Sequence, residues 1–543
     1  MLTVEVVEDA LAADAESMAG KLAEDHVASL VAAQAATLWG PDAEPEASIR
    51  LGWTRLHETS RPLLAEIDAL AAELRAEGVD RVVLAGMGGS SLAPEVICAT
   101  AGAELVVLDT TDPAQVRAAL TELQRTVLVV SSKSGSTVET DSHRRTFEAA
   151  FAGAGIDAPS RIVVVTDPGS PLDEAGRAAG YRRVFNADPD VGGRYSALTA
   201  FGLVPAGLAG VDVAELLDDA AAVAPELSRD AADNPALRLA CALCAAHAKG
   251  AEKVVLADGG SGLAGFGHWV EQLVAESTGK NGTGLLPVVV ESVDAPGFAV
   301  ARSDATQTVI GAPMGEAKVA TAGPLGAQFL LWEYATAVAG LLLAINPFDQ
   351  PDVEAAKKAA RALLDSHDAG PDAGAGSDQP NEPLFVNGSI EVHAYGDWLP
   401  ASVSTVDSAL EALVAATPDH GYLAVQAYLD RVGDAPAAAL RAELAGRTGR
   451  QTTFGWGPRY LHSTGQYHKG GHPNGVFLQI TGAVEEDLPV PGRPYSFGRL
   501  QLAQAAGDGQ VLAERGRPVL RLHLRDRRVG LAELGHAIMG LGQ

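Results

Sequence analysis

Blocks of apolar strand and amphipathic helix alternate along most of this chain. Residues 10–38 and 59–77 repeat apolar side chains at helical spacing, which predicts a helical N-terminal segment over residues 1–78. From residue 81 the pattern changes to short apolar runs, each followed by a loop and a helix. These runs predict the strands Arg81–Ala85, Glu104–Leu108, Thr126–Ser131 and Arg161–Thr166. Apolar strands that alternate with helices are typical of a parallel sheet covered on both faces, here over residues 79–230.

The same pattern starts again near residue 231. It predicts a helix over Pro235–Lys249, a strand over Lys253–Ala257 and a glycine-rich loop over residues 258–262. A long apolar helix, Leu325–Ile345, ends before Asn346–Pro347, and a further helix is expected from Pro351 to about Leu364. Residues 231–364 are therefore predicted to form a second α/β domain.

The rest of the chain divides at a segment of low apolar content. Residues 365–383 are rich in Gly, Pro, Asp and Ala, which predicts a linker or long loop. Residues 384–543 resume the alternating pattern, with a segment at Tyr422–Leu429 and a strand at Gly475–Thr481. The predicted fold class is α/β, with two doubly wound parallel-sheet domains, a helical N-terminal segment and a C-terminal α/β extension.

The net charge and the apolar segments of the chain limit the classes of molecule that it could bind. The chain carries 40 basic and 69 acidic residues, a net charge of −29. Nucleic acid binding needs a basic surface, so this composition argues against it. The N-terminus is acidic and lacks a signal-peptide pattern, and the longest apolar run, Tyr334–Ile345, is too short to cross a bilayer. We therefore expect a cytoplasmic protein that binds neither nucleic acid nor a membrane.

Three cysteines, Cys98, Cys241 and Cys244, are too few for a disulfide framework and suit a reducing compartment. Cys241, Cys244 and His247 recur at one-turn spacing, which could place them on one face of a helix toward a metal. They lie in an alanine-rich apolar helix without a second ligand pair, so core packing is the better interpretation. We expect no metal site there.

The most informative segment is VSSKSGSTVET, residues 130–140. An apolar strand delivers six hydroxyl-bearing residues onto a loop that opens a helix. The N-terminus of a helix presents unpaired N–H groups and a positive dipole, and hydroxyl groups add donors, so this arrangement favours a phosphate group. The loop from Gly86 to Ser91 repeats the arrangement after the strand Arg81–Ala85. Two such loops on one sheet predict a bound sugar phosphate.

Four further segments could carry chemistry. Gln272 and Glu276 lie four residues apart on one helix face, and Arg194 lies on a glycine-rich loop where it could stabilise an anion. Residues 346–357 start a helix with acidic side chains. His462, His468 and His472 cluster in a glycine-rich stretch and could transfer protons. Taken singly, each of these segments is as consistent with an ordinary surface.

Together the segments resemble the glucose-6-phosphate isomerase family, which is built from two sugar-isomerase (SIS) domains. The resemblance runs in family order from about residue 80 to 360. It rests on five motifs: GMGGSSL, SSKSGSTVET, GGRYSAL, QLVAESTGK and LGAQFLLWEYATAVAGLLLAINPFDQPDVEAAK. The isomerase portion of transaldolase–isomerase fusions has a similar C-terminal extension.

The resemblance implies a role for each matching residue. Glu276 would move the proton between C2 and C1, Arg194 would stabilise the enediolate and Lys357 would assist ring opening. The phosphate would be held by residues from both hydroxyl-rich loops: Gly89, Ser90, Ser132, Lys133, Ser134 and Thr137. The sugar would be contacted by Gly193, Gln272 and Gln350. No cofactor and no metal are implied.

The ring-opening histidine departs from the family pattern. The family places it between the glutamate and the lysine, yet residues 277–356 contain no histidine. Our first candidate is His468, because residues 465–468 resemble the family segment, and His472, His462 and His268 remain open. In the family this histidine comes from a partner subunit, which implies a homodimer, although the C-terminal extension could supply it in cis.

The resemblance implies interconversion of glucose 6-phosphate and fructose 6-phosphate, with a sugar phosphate as partner. A bispecific phosphoglucose/phosphomannose isomerase is an alternative, against which Gln350 argues weakly. A glucosamine-6-phosphate synthase-like domain pair is disfavoured because no glutaminase segment is present. A non-catalytic sugar-phosphate sensor would keep the hydroxyl-rich loops but would not need Glu276, Arg194 and Lys357.

Overall fold

The described residues form three β-sheets, each built around parallel strands, and the first of them is parallel throughout. In the computed structural model, which describes residues 1–352 and 382–542, this sheet has the strand order β3-β2-β4-β5-β6. Its strands are β2 Arg81–Gly86, β3 Val106–Leu108, β4 Thr126–Ser131, β5 Ile162–Thr166 and β6 Arg183–Asn186. Gly86 pairs with Ser131. The loops that follow β2 and β4 therefore start side by side.

The second sheet has the order β1-β10-β9-β7-β8. Its parallel strands are β7 Lys253–Asp258, β8 Leu286–Val289, β9 Ala305–Ile310 and β10 Val319–Ala322. The strand β1, Thr3–Val6, pairs antiparallel with β10. The periodicity predicted a purely helical N-terminal segment, but the structure also contains the strand β1 there. A four-residue strand is too short for a periodic signal, and its pairing partner lies far along the chain.

The third sheet belongs to the C-terminal region and has the order β11-β12-β16-β15-β13-β14. Its strands are β11 Phe385–Asn387, β12 Ile390–Tyr395, β13 Tyr422–Tyr428, β14 Gln451–Trp456, β15 Gly475–Gly482 and β16 Val519–Leu524. The last four are parallel, and β11 and β12 add an antiparallel edge. The protein thus contains the two predicted parallel-sheet units and the predicted C-terminal α/β extension.

Helices cover the sheets. The N-terminal part contains Asp9–Glu24, Val27–Ala32, Glu44–Ala47, Leu56–Thr59 and Pro62–Ala76. The first unit contains Leu92–Ala101, Pro113–Ala119, Val138–Gly153, Pro171–Ala178, Ala200–Leu208 and Val213–Leu227, and the second contains Pro235–Ala248, Phe266–Thr278 and Leu325–Leu342. The C-terminal region contains Val406–Ala415, Leu440–Thr448, Gly465–Gly470, Phe497–Glu514 and Arg527–Gly540.

One apolar core joins the first two units. It includes side chains from the helices Ala200–Leu208, Pro235–Ala248 and Leu325–Leu342. Within the described residues, Leu325–Leu342 is the one helix long and apolar enough to cross a membrane, and 89% of it is buried inside the protein. Its apolar composition is explained by this burial, since a core helix is in contact with apolar neighbours on every side.

The C-terminal region packs on the second sheet. A buried cluster combines Val255 and Val288 of that sheet with Tyr422 and Phe477 of the third. Apart from β1, the three sheets fall inside the predicted ranges 79–230, 231–364 and 384–543, whose boundaries stay predictions. The predicted helix 351–364 and linker 365–383 lie almost entirely outside the described residues.

Candidate active site

A cavity of about 520 Å³ opens at the carboxyl ends of β2 and β4. Ligands of open parallel sheets bind at this edge, because the loops that follow the strands converge there. Residues from both parallel-sheet units and from the C-terminal region line the cavity. It encloses the two hydroxyl-rich loops, the polar face of the helix Phe266–Thr278 and the end of the turn Asn346–Gln350.

The loop after β4 lines one end of the cavity. Within it, the Ser132 and Thr137 hydroxyl oxygens lie 3.0 Å apart, as do those of Ser134 and Ser136. Thr137 precedes the helix Val138–Gly153, and its side chain does not cap that helix. The first N–H groups of the helix therefore face the loop without a side-chain cap, which suits an anion. All predicted phosphate contacts line the cavity: Gly89, Ser90, Ser132, Lys133, Ser134 and Thr137.

At this end of the cavity, the positive charge of Lys133 is paired with the carboxylate of Asp167. The Lys133 ammonium lies 2.6 Å from the Asp167 carboxylate and 3.3 Å from the carbonyl oxygen of Pro189. Burial raises the pKa of Asp167, and Lys133 offsets part of that effect. Lys133 is thus held at the loop edge by its own ion pair. Because this side chain is already paired, the predicted contact of Lys133 with the phosphate would come from its backbone.

Gly89 joins the two predicted binding loops by close backbone contact. A Cβ atom at this position would lie 1.9 Å from the carbonyl oxygen of Gly193, well inside contact distance. Only glycine fits there. The phosphate loop and the loop that carries Arg194 therefore hold a fixed distance from each other, and both line the cavity.

The helix Phe266–Thr278 presents Gln272 and Glu276 to the cavity, and both are buried. The Gln272 amide donates to the carbonyl oxygen of His462 at 2.9 Å and lies 3.4 Å from Glu276 Oε2. Glu276 Oε2 also lies 3.6 Å from Arg194 Nη1. A carboxylate is thus placed beside a fixed positive charge at the cavity wall, as proton abstraction next to a developing anion requires.

Arg194 is 3% exposed, and its guanidinium is held from several sides. Its Nε donates to Ser277 Oγ at 2.8 Å, and Nη2 donates to the carbonyl oxygens of Pro347 and Asp349, each at 2.8 Å. Nη1 lies 3.4 Å from Gln350 Oε1. The predicted arginine, glutamate and sugar-contacting glutamines therefore converge on one surface.

The structure does not bring His468 to the cavity. The helix Gly465–Gly470 points its ring into the C-terminal core, where Nδ1 lies 3.0 Å from the Tyr422 hydroxyl and the ring packs on Phe477. Burial lowers the pKa of His468 well below its usual value. A histidine enclosed in this way cannot reach a sugar in the cavity, so its predicted role requires correction.

His462 lines the cavity instead. It ends the short turn Arg459–His462, and its Nε2 lies 3.3 Å from Glu139 Oε1. The remaining two candidates lie elsewhere. His472 pairs with Glu252 at 2.7 Å, and His268 faces a different cavity. Lys357 lies outside the described residues.

Glu139 is a site residue that our reading of the sequence missed. It is 4% exposed, lines the cavity and accepts a 2.6 Å hydrogen bond from Gln504 in addition to its contact with His462. It stands inside the motif SSKSGSTVET, so a signal was present. Its partners follow more than 300 residues later, and Arg50, Leu461 and Leu500 also line the cavity without a sequence signal.

Comparison with known proteins agrees with this geometry. Residues 63–289 match the family model "Phosphoglucose isomerase". A relative from Natronomonas pharaonis named "Probable glucose-6-phosphate isomerase" is 29% identical over 59% of this chain and 86% of its own length. The glucose-6-phosphate isomerase of Cyanothece sp. is 34% identical over 37% of this chain and 40% of its own length. The chain thus spans most of the first relative and less than half of the second.

Solved structures support the fold. A hypothetical protein of Thermus thermophilus covers 67% of this chain and all of its own length, with a TM-score of 0.57 and 24% identity. A glucose-6-phosphate isomerase of Chlamydia trachomatis covers 68% of this chain and 90% of its own, with a TM-score of 0.54 and 18% identity. With its motifs in family order around one cavity, the chain is similar to the glucose-6-phosphate isomerase family, whose model matches residues 63–289 and whose two curated members named above are 29% and 34% identical to it.

Proposed function

We propose that this protein interconverts D-glucose 6-phosphate and D-fructose 6-phosphate through a cis-enediolate. One observation carries the proposal: two hydroxyl-rich phosphate loops and the Glu276–Arg194 pair open into a single cavity. The cavity has room for a hexose phosphate, and its two ends differ in chemistry. The loop end can hold an anion, and the opposite end offers a base beside a cation.

The phosphate would bind at the loop end. Hydroxyl groups of Ser132, Ser134 and Thr137 and the first N–H groups of the helix Val138–Gly153 can donate to its oxygens. This fixes one end of the substrate. The reacting carbons then lie toward Glu276, with Gln272, Gln350 and the Gly193 backbone close to the sugar hydroxyls.

Proton transfer would use Glu276. Its carboxylate takes the proton from C2 of the open-chain aldose, and the electrons move to the carbonyl oxygen at C1. Arg194 offers a buried, fixed positive charge for the enediolate that results. The protonated Glu276 then returns the proton to C1, while the hydroxyl proton on O2 passes to O1, which gives the ketose.

Ring opening precedes this step, and we assign it to His462. Its Nε2 faces the Glu139 carboxylate at 3.3 Å, which can fix the orientation of the ring. His462 can then exchange a proton with the ring oxygen or with the C1 hydroxyl. Lys357 stays a predicted assistant of this step.

The reaction moves hydrogen within one molecule, so no external oxidant or reductant is consumed. We accordingly propose a reaction without a redox cofactor or metal. For the compartment we propose the cytoplasm, because Cys98, Cys241 and Cys244 are free and buried. A homodimer stays a prediction, and sedimentation of the purified chain would test it.

The decisive experiment follows conversion of fructose 6-phosphate by the purified chain with chelator present and mannose 6-phosphate as the second substrate. We expect conversion of fructose 6-phosphate alone. Comparable use of mannose 6-phosphate would show a bispecific enzyme. Binding of either sugar phosphate without turnover would overturn the proposal in favour of a sensor.

A further inference from the structure

Lys280 is a buried lysine behind the cavity wall. It follows the helix Phe266–Thr278 by two residues, its side chain is 3% exposed, and it does not line the cavity. Its Nζ donates to three oxygens of one turn: the carbonyl oxygens of Asn346 and Asp349, at 2.5 and 2.7 Å, and Asp349 Oδ1, at 2.6 Å. An ammonium group has three N–H donors, so these three oxygens use all of them.

Arg194 holds the same turn from the cavity side. It donates to the carbonyl oxygens of Pro347 and Asp349, so the Asp349 carbonyl accepts from both cations. Gln350, the next residue, lines the cavity and contacts Arg194 at 3.4 Å. The turn Asn346–Gln350 therefore holds Arg194 and Gln350 in position, and Lys280 binds the same turn from the side away from the cavity.

We infer that Lys280 is a positioning residue for the isomerase reaction: it fixes the turn Asn346–Gln350 so that Arg194 stays directed at Glu276. The inference rests on the proposed function. Lys280 acts through Arg194 and touches no substrate. A displacement of about 1 Å in a catalytic group can lower the rate about 100-fold. The position of the turn Asn346–Gln350 should therefore affect turnover, although Lys280 itself lies outside the cavity.

The protonation state of Lys280 decides how firmly the turn is held. Burial is the largest cause that lowers its pKa to about 7, and the neighbouring Arg194 adds to this, while Asp349 and Glu276 act in the opposite direction. A neutral amine has two N–H donors, so one of the three oxygens loses its partner as the pH rises through this pKa. Lys280 therefore makes all three hydrogen bonds to the turn only at a pH below this pKa.

The test compares Lys280→Met and Lys280→Arg with the wild type and with Lys253→Met. Lys253 is a matched control, because it is fully buried and paired with Glu252 and Asp304, away from the cavity. We expect Lys280→Met to lower kcat roughly 10- to 100-fold with a smaller change in KM. Lys280→Arg should recover much of kcat, and Lys253→Met should lose stability without a comparable loss of kcat.

A milder variant, Asp349→Asn, provides a second test of the inference if Lys280→Met does not fold. Asp349 is 40% exposed, so the fold should tolerate the change. The second pKa of the substrate phosphate is about 6, so its dianionic fraction rises from about three quarters at pH 6.5 to nearly all above pH 7.5, and this change is the same for the wild type and the variant. Between about pH 6.5 and 9, kcat/KM of the wild type should fall as the pH rises. In Asp349→Asn the fall should come about 0.5 to 1 pH unit earlier, because a carboxylate that stabilised the ammonium is gone.

The outcomes separate the two proposals. An inactive wild-type protein would overturn the proposed function and this inference with it. An active wild type would overturn this inference alone if folded Lys280→Met matched it in kcat, or if Asp349→Asn left the pH profile unchanged.

Discussion

The two parallel-sheet units use one strand, loop and helix arrangement for different tasks. In the first unit, β2 leads into the loop Gly86–Ser91, in which the residues from Met87 to Ser90 line the cavity. In the second, β7 leads into the loop 258–262, which does not line it. There the Asp258 carboxylate accepts hydrogen bonds from the Ser261 N–H and hydroxyl groups, at 2.9 and 2.6 Å. These donors are therefore paired within the loop.

The difference follows from where each unit places its charge. The first unit keeps acidic side chains out of the loop Ser132–Thr137 and offers hydroxyl and N–H donors, which suit a phosphate. The second unit starts its loop with a carboxylate, which would repel one. The side chains that its helix presents to the cavity lie further on, at Gln272 and Glu276. Under the proposed function, the first unit would therefore supply the phosphate contacts and Arg194, and the second unit would supply the base Glu276.

The strongest test of this division is Glu276→Gln. The amide keeps the shape of the side chain but cannot accept a proton, so kcat should fall roughly 1000-fold while KM changes little. Glu271→Gln is a matched control, because Glu271 lies on the same helix, is also buried and faces a different cavity. Steady-state kinetics of both variants would check the expectation. Turnover of Glu276→Gln close to that of the wild type would contradict the assignment of the base.

The next largest effect is expected from His462→Ala. Loss of the ring-opening group should lower kcat about 10- to 100-fold, and Glu139→Gln should give part of that loss, because the histidine then lacks its carboxylate partner. His468→Phe is the contrasting variant, since a phenyl ring can fill the enclosed space beside Phe477 and Tyr422. It should retain nearly full turnover. If His468→Phe were the inactive variant instead, our choice of histidine would fail.

Changes in the phosphate loop should act on binding. Thr137→Val removes one hydroxyl donor and keeps the shape, so KM should rise about tenfold, as expected for one hydrogen bond to a charged group, with kcat nearly unchanged. Initial rates over a range of fructose 6-phosphate concentrations would measure both constants. An equal loss in kcat would show that this loop also shapes the transition state.

The smallest effect should come from the corresponding loop of the second unit. Ser261→Ala breaks a hydrogen bond within an exposed loop, so we expect a loss of stability of about 1 kcal/mol or less and no change in kcat or KM. Thermal unfolding and the same rate assay would test this. A raised KM would show that both loops contact the substrate, and the contrast between the units would be lost.

Much of this fold could be predicted from local sequence. The strands that begin at Arg81, Thr126 and Lys253 are apolar runs that each lead into a loop rich in glycine or serine, and such runs are visible within a short stretch of sequence. Glu276 and Arg194 could be named because they lie in motifs of the family. The strand Thr3–Val6 could not, because its partner β10 lies more than 300 residues away.

The ring-opening histidine shows a second limit. His462 and His468 lie six residues apart in a similar glycine-rich setting, and local sequence does not distinguish them. The short turn that ends at His462 directs its ring to Glu139, whereas the helix Gly465–Gly470 turns His468 toward Tyr422. This choice depends on how the C-terminal region packs on both other units, which no single motif encodes.

The cavity wall formed by Leu461, His462, Leu500 and Gln504 comes from the C-terminal region of the same chain. Groups that arrive on a separate polypeptide are present only above the dissociation constant of the complex. A covalent connection replaces that constant with an effective concentration, which does not fall on dilution. These four side chains therefore stay at the cavity at any dilution, and under the proposed function their contribution to turnover would not depend on how much enzyme is present.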